Sequence, residues 1–223
     1  MFAGSLILLC NSCTKQIRTD VFIAGGGTSG IAAGIQASRM GVKTVIAEEY
    51  KWLGGMLTSA GVSAVDGNYR LQGGLWKELK DSLSAYYGGD SLLQTGWVSN
   101  VLFEPSAGNR IFSNMAAKEK DLTVIYDSYV ESVTKMKKGW LVKLRNKNDN
   151  STSAYAATIL IDATELGDVA KLCGLKYDIG MDSNRDTGED IAPEMENDII
   201  QDLTYVAILK DYGKHIPVKR PEG

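Results

Sequence analysis

Short apolar runs and a helical stretch alternate in the first quarter of the chain. Residues 20–24 and 43–48 each contain an apolar run of strand length, and residues 28–40 between them carry small and apolar side chains at helical spacing. A strand, a helix and a second strand in this order are typical of a parallel sheet covered by helices. The pattern therefore predicts a β-α-β unit at residues 20–48.

Two amphipathic helices are predicted after residue 48. The first is marked by apolar positions at helical spacing and by the glycine pair that ends it, at residues 88–89. The second covers residues 105–120 and has a proline in its first turn. The apolar positions of the first helix are Leu75, Trp76, Leu79, Leu83 and Tyr86.

The second half of the chain predicts a group of strands. A buried strand at residues 122–126 precedes three strands of an antiparallel meander, at residues 129–136, 140–145 and 153–157, which are joined by polar turns. A separate apolar strand follows at residues 158–163. The pattern of apolar and polar positions weakens from residue 177 onward. Residues 202–209 form the last candidate strand. The chain is therefore predicted to be an α/β protein in which a meander accompanies the parallel sheet.

The turn after the first predicted strand has the pattern G-x-G-x-x-G at Gly25, Gly27 and Gly30. In this pattern Gly25 allows a tight turn, Gly27 lets a pyrophosphate approach the backbone, and Gly30 lets the helix pack closely on the strand. The helix starts at Thr28 and Ser29, whose N–H groups are expected to face the anion. This turn predicts a dinucleotide-binding site.

An acidic residue completes this pattern at the end of the second predicted strand. Glu48 stands where a carboxylate can accept hydrogen bonds from ribose hydroxyls. The alternative that remains open is a glycine-rich turn in an unrelated α/β domain.

The composition excludes some classes of function. The chain has 223 residues, of which 44% are hydrophobic, and a formal net charge of −3. Charges of both signs are interleaved without a basic stripe, which disfavours nucleic acid as a partner. The sequence shows no apolar run of transmembrane length and no cluster of metal-ligating residues.

The first 19 residues are interpreted as a leader or signal segment. Residues 2–9 are mostly apolar, and Cys13 follows them in a context similar to a bacterial lipoprotein cleavage site. Cleavage there would leave Cys13 as a lipidated N-terminus, and the protein would be periplasmic or tethered to a membrane. The missing Lys or Arg in residues 1–5 argues against this interpretation. The alternative is a flexible leader on a cytoplasmic protein.

Four segments in order resemble the FAD-dependent oxidoreductases of the glutathione-reductase structural class, and more narrowly a bacterial FAD-dependent oxidoreductase family. They are residues 20–48, the Gly-Gly segment at residues 52–58, the strand at residues 122–126 with residues 129–130 after it, and residues 161–168. The resemblance implies a Rossmann-like FAD-binding fold, with FAD as the cofactor.

The resemblance also implies further cofactor-binding residues. Gly54, Gly55 and Met56 would lie near the flavin and its pyrophosphate, and the backbone of Val130 would contact adenine. Ala163 and Asp168 would lie beside the cofactor, although Asp168 could instead cap the helix that follows. Glu49 would lie either beside the adenine or in solvent. Glu165 departs from the glycine that is usual in the family.

Residues 20–174 are predicted to form the FAD-binding domain, and residues 175–223 the start of a substrate domain that is incomplete at the C-terminus. The chain is thus interpreted as the N-terminal portion of a longer enzyme, which transfers a hydride or two electrons from an unknown small molecule to flavin. No catalytic residue can be nominated, and His215, the single histidine, is expected on the surface. Three alternatives stay open: a flavin-dependent enzyme without net redox change, a non-catalytic nucleotide-binding remnant, and an NAD-only dehydrogenase.

Overall fold

A single six-stranded sheet organises the chain in the computed structural model, which describes residues 16–96, 99–207, 212–214 and 217. The strands lie in the order β3-β2-β1-β6-β5-β4. Their bounds are β1 Gln16–Ala24, β2 Thr44–Ala47, β3 Leu122–Ile125, β4 Ser128–Lys135, β5 Trp140–Asn146 and β6 Thr152–Asp162. The predicted α/β class, with a parallel sheet and a meander, is confirmed.

Four neighbouring strands form the parallel half of the sheet. β1 lies between β2 and β6 and is parallel to both, and β3 extends the parallel half beyond β2. Ala24 pairs with Ala47 on one side and with Asp162 on the other, so the carboxyl ends of the three strands meet at one edge. This edge is where open α/β sheets bind their ligands.

The meander is continuous with the parallel half through β6. The sequence predicted separate strands at residues 153–157 and 158–163, but the structure shows one strand of 11 residues. Its first half pairs with both β5 and β1, and its second half continues along β1 alone. No turn residue interrupts the segment, so the change of partner does not require a break in the strand.

The first strand also begins earlier than predicted. β1 starts at Gln16, and residues 16–19 pair with residues 154–157 of β6. The leader assigned to residues 1–19 therefore overlaps the sheet by four positions, because residues 16–19 find their partners only through long-range pairing with β6. Cys10 and Cys13, on which the lipoprotein interpretation rests, lie outside the described residues.

The helices are α1 Thr28–Arg39, α2 Gly74–Tyr87, α3 Pro105–Ala117, α4 Asp168–Leu172 and α5 Asn184–Thr187. Helices α1, α2 and α3 form the larger apolar core with the loops between them, and Ile35, Leu53 and Leu83 in this core are fully buried. The guanidinium of Arg39 on α1 forms ion pairs with Glu78 of α2 at 2.7 Å and with Glu119 after α3 at 2.8 Å. Exposed ion pairs of this kind each stabilise the folded chain by about 0–1 kcal/mol.

The two faces of the sheet are buried differently. Val21 and Ile23 of β1 point to the side of α1, where they pack with Ile46 and Ala33. Phe22 points to the opposite side, where it packs with Val45 and with side chains of β5 and β6. The alternation follows from the two-residue period of a strand, and it explains why β1 is apolar on both faces.

The C-terminal part of the described chain has little regular structure. The strand predicted at residues 202–209 is wrong for residues 202–207, which pair with no other strand; residues 208–209 lie outside the described residues. Leu203 and Tyr205 in this segment are 86% and 92% exposed. Apolar residues in sequence do not make a strand unless a partner strand accepts their backbone hydrogen bonds.

Candidate functional site

The glycine turn lies at the carboxyl end of β1, where neighbouring backbones approach closely. Gly25 has a φ of +96°, and a Cβ there would overlap the carbonyl group of Ala163. A Cβ on Gly30 would overlap the carbonyl oxygen of Gly25. The tight turn and the close helix packing predicted for these two glycines are both seen in the structure. Ala163 contributes its backbone here, since its N–H donates to Ala24 at 2.8 Å.

Gly27 and Gly55 lie against each other and together form the floor of a narrow cleft, into which the Glu165 side chain projects. The Gly54 N–H donates to the Gly26 carbonyl at 2.9 Å, and the Thr28 hydroxyl donates to the Gly54 carbonyl at 3.2 Å. These bonds hold the Gly-Gly segment against the glycine turn, where a Cβ on Gly55 would stand 3.0 Å from the Cα of Gly27. The two segments that the sequence placed near the pyrophosphate are thus brought together.

The amino end of α1 opens into the same cleft. The Ile31 N–H makes the first helical bond, to the Gly27 carbonyl at 3.0 Å. The N–H groups of Thr28, Ser29 and Gly30 come before this bond and have no acceptor inside the helix. Thr28 and Ser29 are exposed, so an anion over Gly27 can reach donors that carry the positive end of the helix dipole.

Glu48 is buried beside the turn, with 6% of its surface exposed. Its carboxylate accepts hydrogen bonds from the N–H of Gly26 at 2.7 Å and from the N–H of Tyr50 at 2.8 Å. Burial raises the pKa of the Glu48 carboxyl, and the two backbone hydrogen bonds oppose this rise. Each carboxylate oxygen keeps a lone pair that a ribose hydroxyl could use, and the ribose-binding role of Glu48 stays a prediction.

Gly26 is a site residue that the sequence reasoning missed. A Cβ there would stand 2.7 Å from Leu53 Cδ2 and 2.8 Å from Glu48 Oε2. Only glycine therefore lets the Gly26 N–H reach the buried carboxylate. The run of three glycines at residues 25–27 was the available signal, but the motif gives a role only to the first and third.

Val130 and Glu49 lie on the side of the site formed by β2 and β4. The Ser128 N–H donates to the Glu48 carbonyl at 2.9 Å, which places the start of β4 beside the end of β2. Val130 is half-buried and pairs with Leu144 of β5. The Glu49 carboxylate accepts a hydrogen bond from Lys147 Nζ at 2.9 Å on the surface.

The loop after β6 is held by Asp162, a second residue that the sequence reasoning missed. Its carboxylate accepts hydrogen bonds from the Thr164 N–H at 3.0 Å and from the Ala170 N–H at 2.7 Å. The Thr164 hydroxyl in turn accepts from the Asp168 N–H at 2.8 Å. The signal for this role was an aspartate at the end of an apolar strand, six to eight residues before helical N–H groups that need acceptors.

Asp168 does not cap α4. Gly167 is the N-cap residue, and the N–H groups at the helix start bind Thr164 and Asp162 instead. The Asp168 carboxylate makes no hydrogen bond with the described part of the chain. The capping role, which the sequence left open for Asp168, therefore does not apply, and its predicted role beside the cofactor stays a prediction.

The remaining predicted residue, Met56, lies in a 3₁₀ turn at Gly55–Leu57 and is 56% exposed at the rim of the cleft. Glu165, which departs from the resemblance, is also exposed and places its Oε1 atom 3.1 Å from where a Cβ on Gly27 would stand. Its side chain thus lies over the glycine that the pyrophosphate is expected to approach.

The sequence model of the family "FAD dependent oxidoreductase" matches residues 20–220. The chain belongs to this family. The match covers most of the chain and includes all the predicted site residues, and it confirms the family resemblance and the cofactor, FAD.

Solved structures share the fold at low sequence identity. A flavoprotein/dehydrogenase from Cytophaga hutchinsonii aligns with a TM-score of 0.55 and 16% identity, over 72% of this chain and 43% of that chain. RebC with bound 7-carboxy-K252c aligns with a TM-score of 0.57 and 12% identity, over 75% of this chain and 36% of that chain. p-Nitrophenol 4-monooxygenase from Pseudomonas putida aligns with a TM-score of 0.51 and 13% identity, over 75% of this chain and 45% of that chain.

The chain spans less than half the length of each of these three structures. No curated protein matches the sequence.

The residues present fit FAD. A side chain on Gly27 or Gly55 would enter the space over the two glycines, into which the Glu165 side chain also reaches. The missing side chains let a pyrophosphate lie against both backbones when Glu165 points elsewhere. Glu48 is fixed on one side of this cleft, and the amino end of α1 opens into it. These three features supply the contacts that the phosphates and the ribose of a dinucleotide require.

The described part of the chain contains no group of three or more His, Cys, Asp or Glu residues that could hold a metal ion. No helix in the same residues is long and apolar enough to cross a membrane. His215 lies outside the described residues, and Cys173 is a free, half-buried cysteine after α4.

Alanine at Gly27 and at Gly30 should separate cofactor binding from folding. At Gly27 the nearest atom to a new Cβ is Glu165 Oε1, so Gly27→Ala should fold normally but weaken FAD binding by about 10-fold or more. At Gly30 the new Cβ meets backbone, so Gly30→Ala should lower the free energy of unfolding by about 1–3 kcal/mol. Quenching of FAD fluorescence measures the change in FAD binding, and urea denaturation measures the change in the free energy of unfolding. An unchanged dissociation constant for Gly27→Ala would contradict the assigned site.

The buried Glu48 predicts a specific pH dependence of stability. Its pKa is raised above the ordinary value of 4.5 in the folded chain, so the folded state holds this proton more tightly than the unfolded state does. The stability of the wild type relative to Glu48→Gln should therefore fall as the pH rises from 4.5 through the raised pKa. Urea denaturation of the FAD-free proteins across this range measures the difference. A difference that grows in favour of the wild type with rising pH would disprove the assignment.

Proposed function

We propose that this chain forms the FAD-binding part of an enzyme that takes a hydride, or two electrons, from a small-molecule substrate. The single observation that carries the proposal is the backbone surface formed by Gly27 and Gly55, which has no side chains of its own and lies beside the buried Glu48. FAD, when bound, supplies the two-electron redox chemistry, and the protein supplies binding and orientation.

The residues of the cleft have separate tasks in this proposal. Gly27 and Gly55 admit the pyrophosphate, and the N–H groups of Thr28 and Ser29 stabilise its charge. Glu48 accepts hydrogen bonds from the ribose, and the hydrogen bonds from Gly26 and Tyr50 fix its orientation. The backbone near Val130 lies beside the end of β2 and is proposed to contact the adenine.

Electrons taken from the substrate must leave to a second acceptor, for which oxygen or a quinone-like compound is proposed. The substrate is proposed to be a small molecule, and nucleic acid is not proposed as a partner because the net charge of −3 is spread over interleaved residues.

Visible absorption of the purified chain, with added FAD, is the first test of this function. We expect flavin bands that stay with the protein through gel filtration and bleach under anaerobic conditions when a substrate from a panel of small alcohols, amines and acids is added. The Gly27→Ala variant is the matched control and should lose the bands. A protein that takes up no FAD contradicts the proposal.

Two outcomes would favour the alternatives. Product formed from a substrate without any electron acceptor would favour a flavin-dependent enzyme without net redox change. Bound FAD that no substrate in the panel reduces would favour a non-catalytic nucleotide-binding protein.

We further propose that the chain is a bacterial lipoprotein anchored through Cys13 on the periplasmic side of a membrane. The apolar residues 2–9 and the Cys13 context support this location. Only Thr14 and Lys15 separate Cys13 from β1. The nine residues of β1 would then place the cofactor cleft about 30 Å from the anchor. A cavity at the amino end of β1, near the proposed membrane surface, is lined by three basic residues and one acidic residue, namely Arg18, Lys43, Lys138 and Asp20. Anionic lipid headgroups would meet a net positive charge there.

Replacing each of the two leader cysteines tests the anchor. Expressed from its start codon in a bacterium, the wild type should appear in the membrane fraction with the added mass of lipid on Cys13. Cys13→Ser should lose the lipid, whereas Cys10→Ser, the matched control, should keep it. Intact-mass spectrometry measures both. Wild-type protein with an unmodified residue 13 in the soluble fraction would support the cytoplasmic alternative.

A further inference from the structure

Glu165 occupies the position where an anion is expected. It lies in the loop between β6 and α4, and its Oε1 atom stands 2.5 Å from where a Cβ on Gly55 would be and 3.1 Å from the same point on Gly27. The carboxylate oxygen therefore already fills the space over both glycines. This is the space that the proposed function gives to the pyrophosphate.

Electrostatics explain why a carboxylate is found there. The N–H groups at the amino end of α1 lack acceptors within the helix and carry a partial positive charge, which attracts an anion. The Glu165 side chain makes no hydrogen bond with the described residues. No specific bond to the described residues would therefore have to break when it leaves.

A second carboxylate makes this arrangement costly. Glu48 lies beside the same glycine turn. Burial is the main cause that raises the pKa of its carboxyl, and repulsion from Glu49 and from Glu165 adds to this rise in smaller measure. Like charges near each other in a partly buried site destabilise one another. Moving Glu165 away from the cleft relieves this repulsion, so its position over the glycines is only weakly favoured.

The loop around Glu165 leaves room for such a movement. Leu166 next to it is 87% exposed, and a Cβ on Gly167 would meet no atom within 4 Å. Glu165 itself is exposed. Its side chain can therefore rotate into solvent while Asp162 and Thr164 continue to hold the helix start of α4.

We propose that Glu165 is a displaceable occupant of the pyrophosphate position, which competes with the dinucleotide and must swing out before FAD binds. The inference rests on the proposed cofactor site and adds a determinant of affinity to it. Competition for this position weakens every ligand that carries the pyrophosphate, namely FAD and ADP. It leaves riboflavin, which lacks phosphate, unaffected.

Binding measurements on the flavin-free chain test this inference directly. FAD and riboflavin are titrated by fluorescence quenching, and ADP by calorimetry, for the wild type, Glu165→Gln, Glu165→Ala and the control Glu194→Gln. Glu194 is also exposed and has no hydrogen-bond partner in the described part of the chain. Thermal melts confirm that all four proteins are equally folded.

We expect both Glu165 variants to bind FAD and ADP about 3- to 10-fold more tightly than the wild type at low salt, with riboflavin unchanged. The gain should shrink in about 0.5 M salt, because screening weakens the interaction between exposed charges. The Glu194 control should match the wild type under all conditions.

Three results would overturn the inference. Equal affinities for FAD in the wild type and in Glu165→Gln would show that the carboxylate does not compete, while leaving the proposed cofactor site intact. Weaker binding by the variants would make Glu165 a contact of the bound cofactor. Failure of every protein to bind FAD or ADP would overturn the cofactor site and this inference together.

Discussion

Close approach of backbone to backbone at the carboxyl end of β1 is the constraint on which the site depends. Gly25 touches the carbonyl group of Ala163, Gly30 touches the carbonyl of Gly25, and Gly26 lies against Leu53 and Glu48. A methyl group at any of these positions would separate β1 from β6, from α1 or from the Gly-Gly segment. Because these elements meet without side chains between them, Gly27 and Gly55 come close enough to form a cleft lined by backbone.

Charge is distributed in this cleft so that donors and acceptors face each other. The buried Glu48 is costly to ionise, and its two backbone hydrogen bonds, from Gly26 and Tyr50, offset part of that cost. The amino end of α1 supplies positive partial charge on the other side. A dinucleotide combines ribose hydroxyls, which donate to a carboxylate, with phosphates, which accept from N–H groups, and so it satisfies both sides of the cleft.

Strand β6 connects the architecture to the site. Its first half joins the meander to the parallel strands, and its last residue, Asp162, orders the loop that carries Ala163, Glu165 and Asp168. The carboxylate of Asp162 reaches over eight positions to the Ala170 N–H, so the geometry of this loop is set by one half-buried network of hydrogen bonds. The loop that carries Glu165, the proposed competitor of the pyrophosphate, is therefore held by hydrogen bonds at both ends and exposed to solvent at Glu165 and Leu166.

The sequence by itself determined the elements whose signals are local. The β-α-β unit, the helices α2 and α3, the roles of Gly25 and Gly30 and the place of Glu48 follow from apolar periodicity and from glycine spacing, which act within a few residues. Tertiary structure alone decided what depends on distant partners. β6 is one strand because β1 and β5 both accept it, and residues 202–207 are not a strand because they pair with no strand in the described part of the chain. The N–H groups at the start of α4 donate to Asp162 and Thr164, and Asp168 does not accept them. Glu165 lies over Gly27 and Gly55 because folding brings three separate segments to one point, and no local pattern in the chain records that meeting.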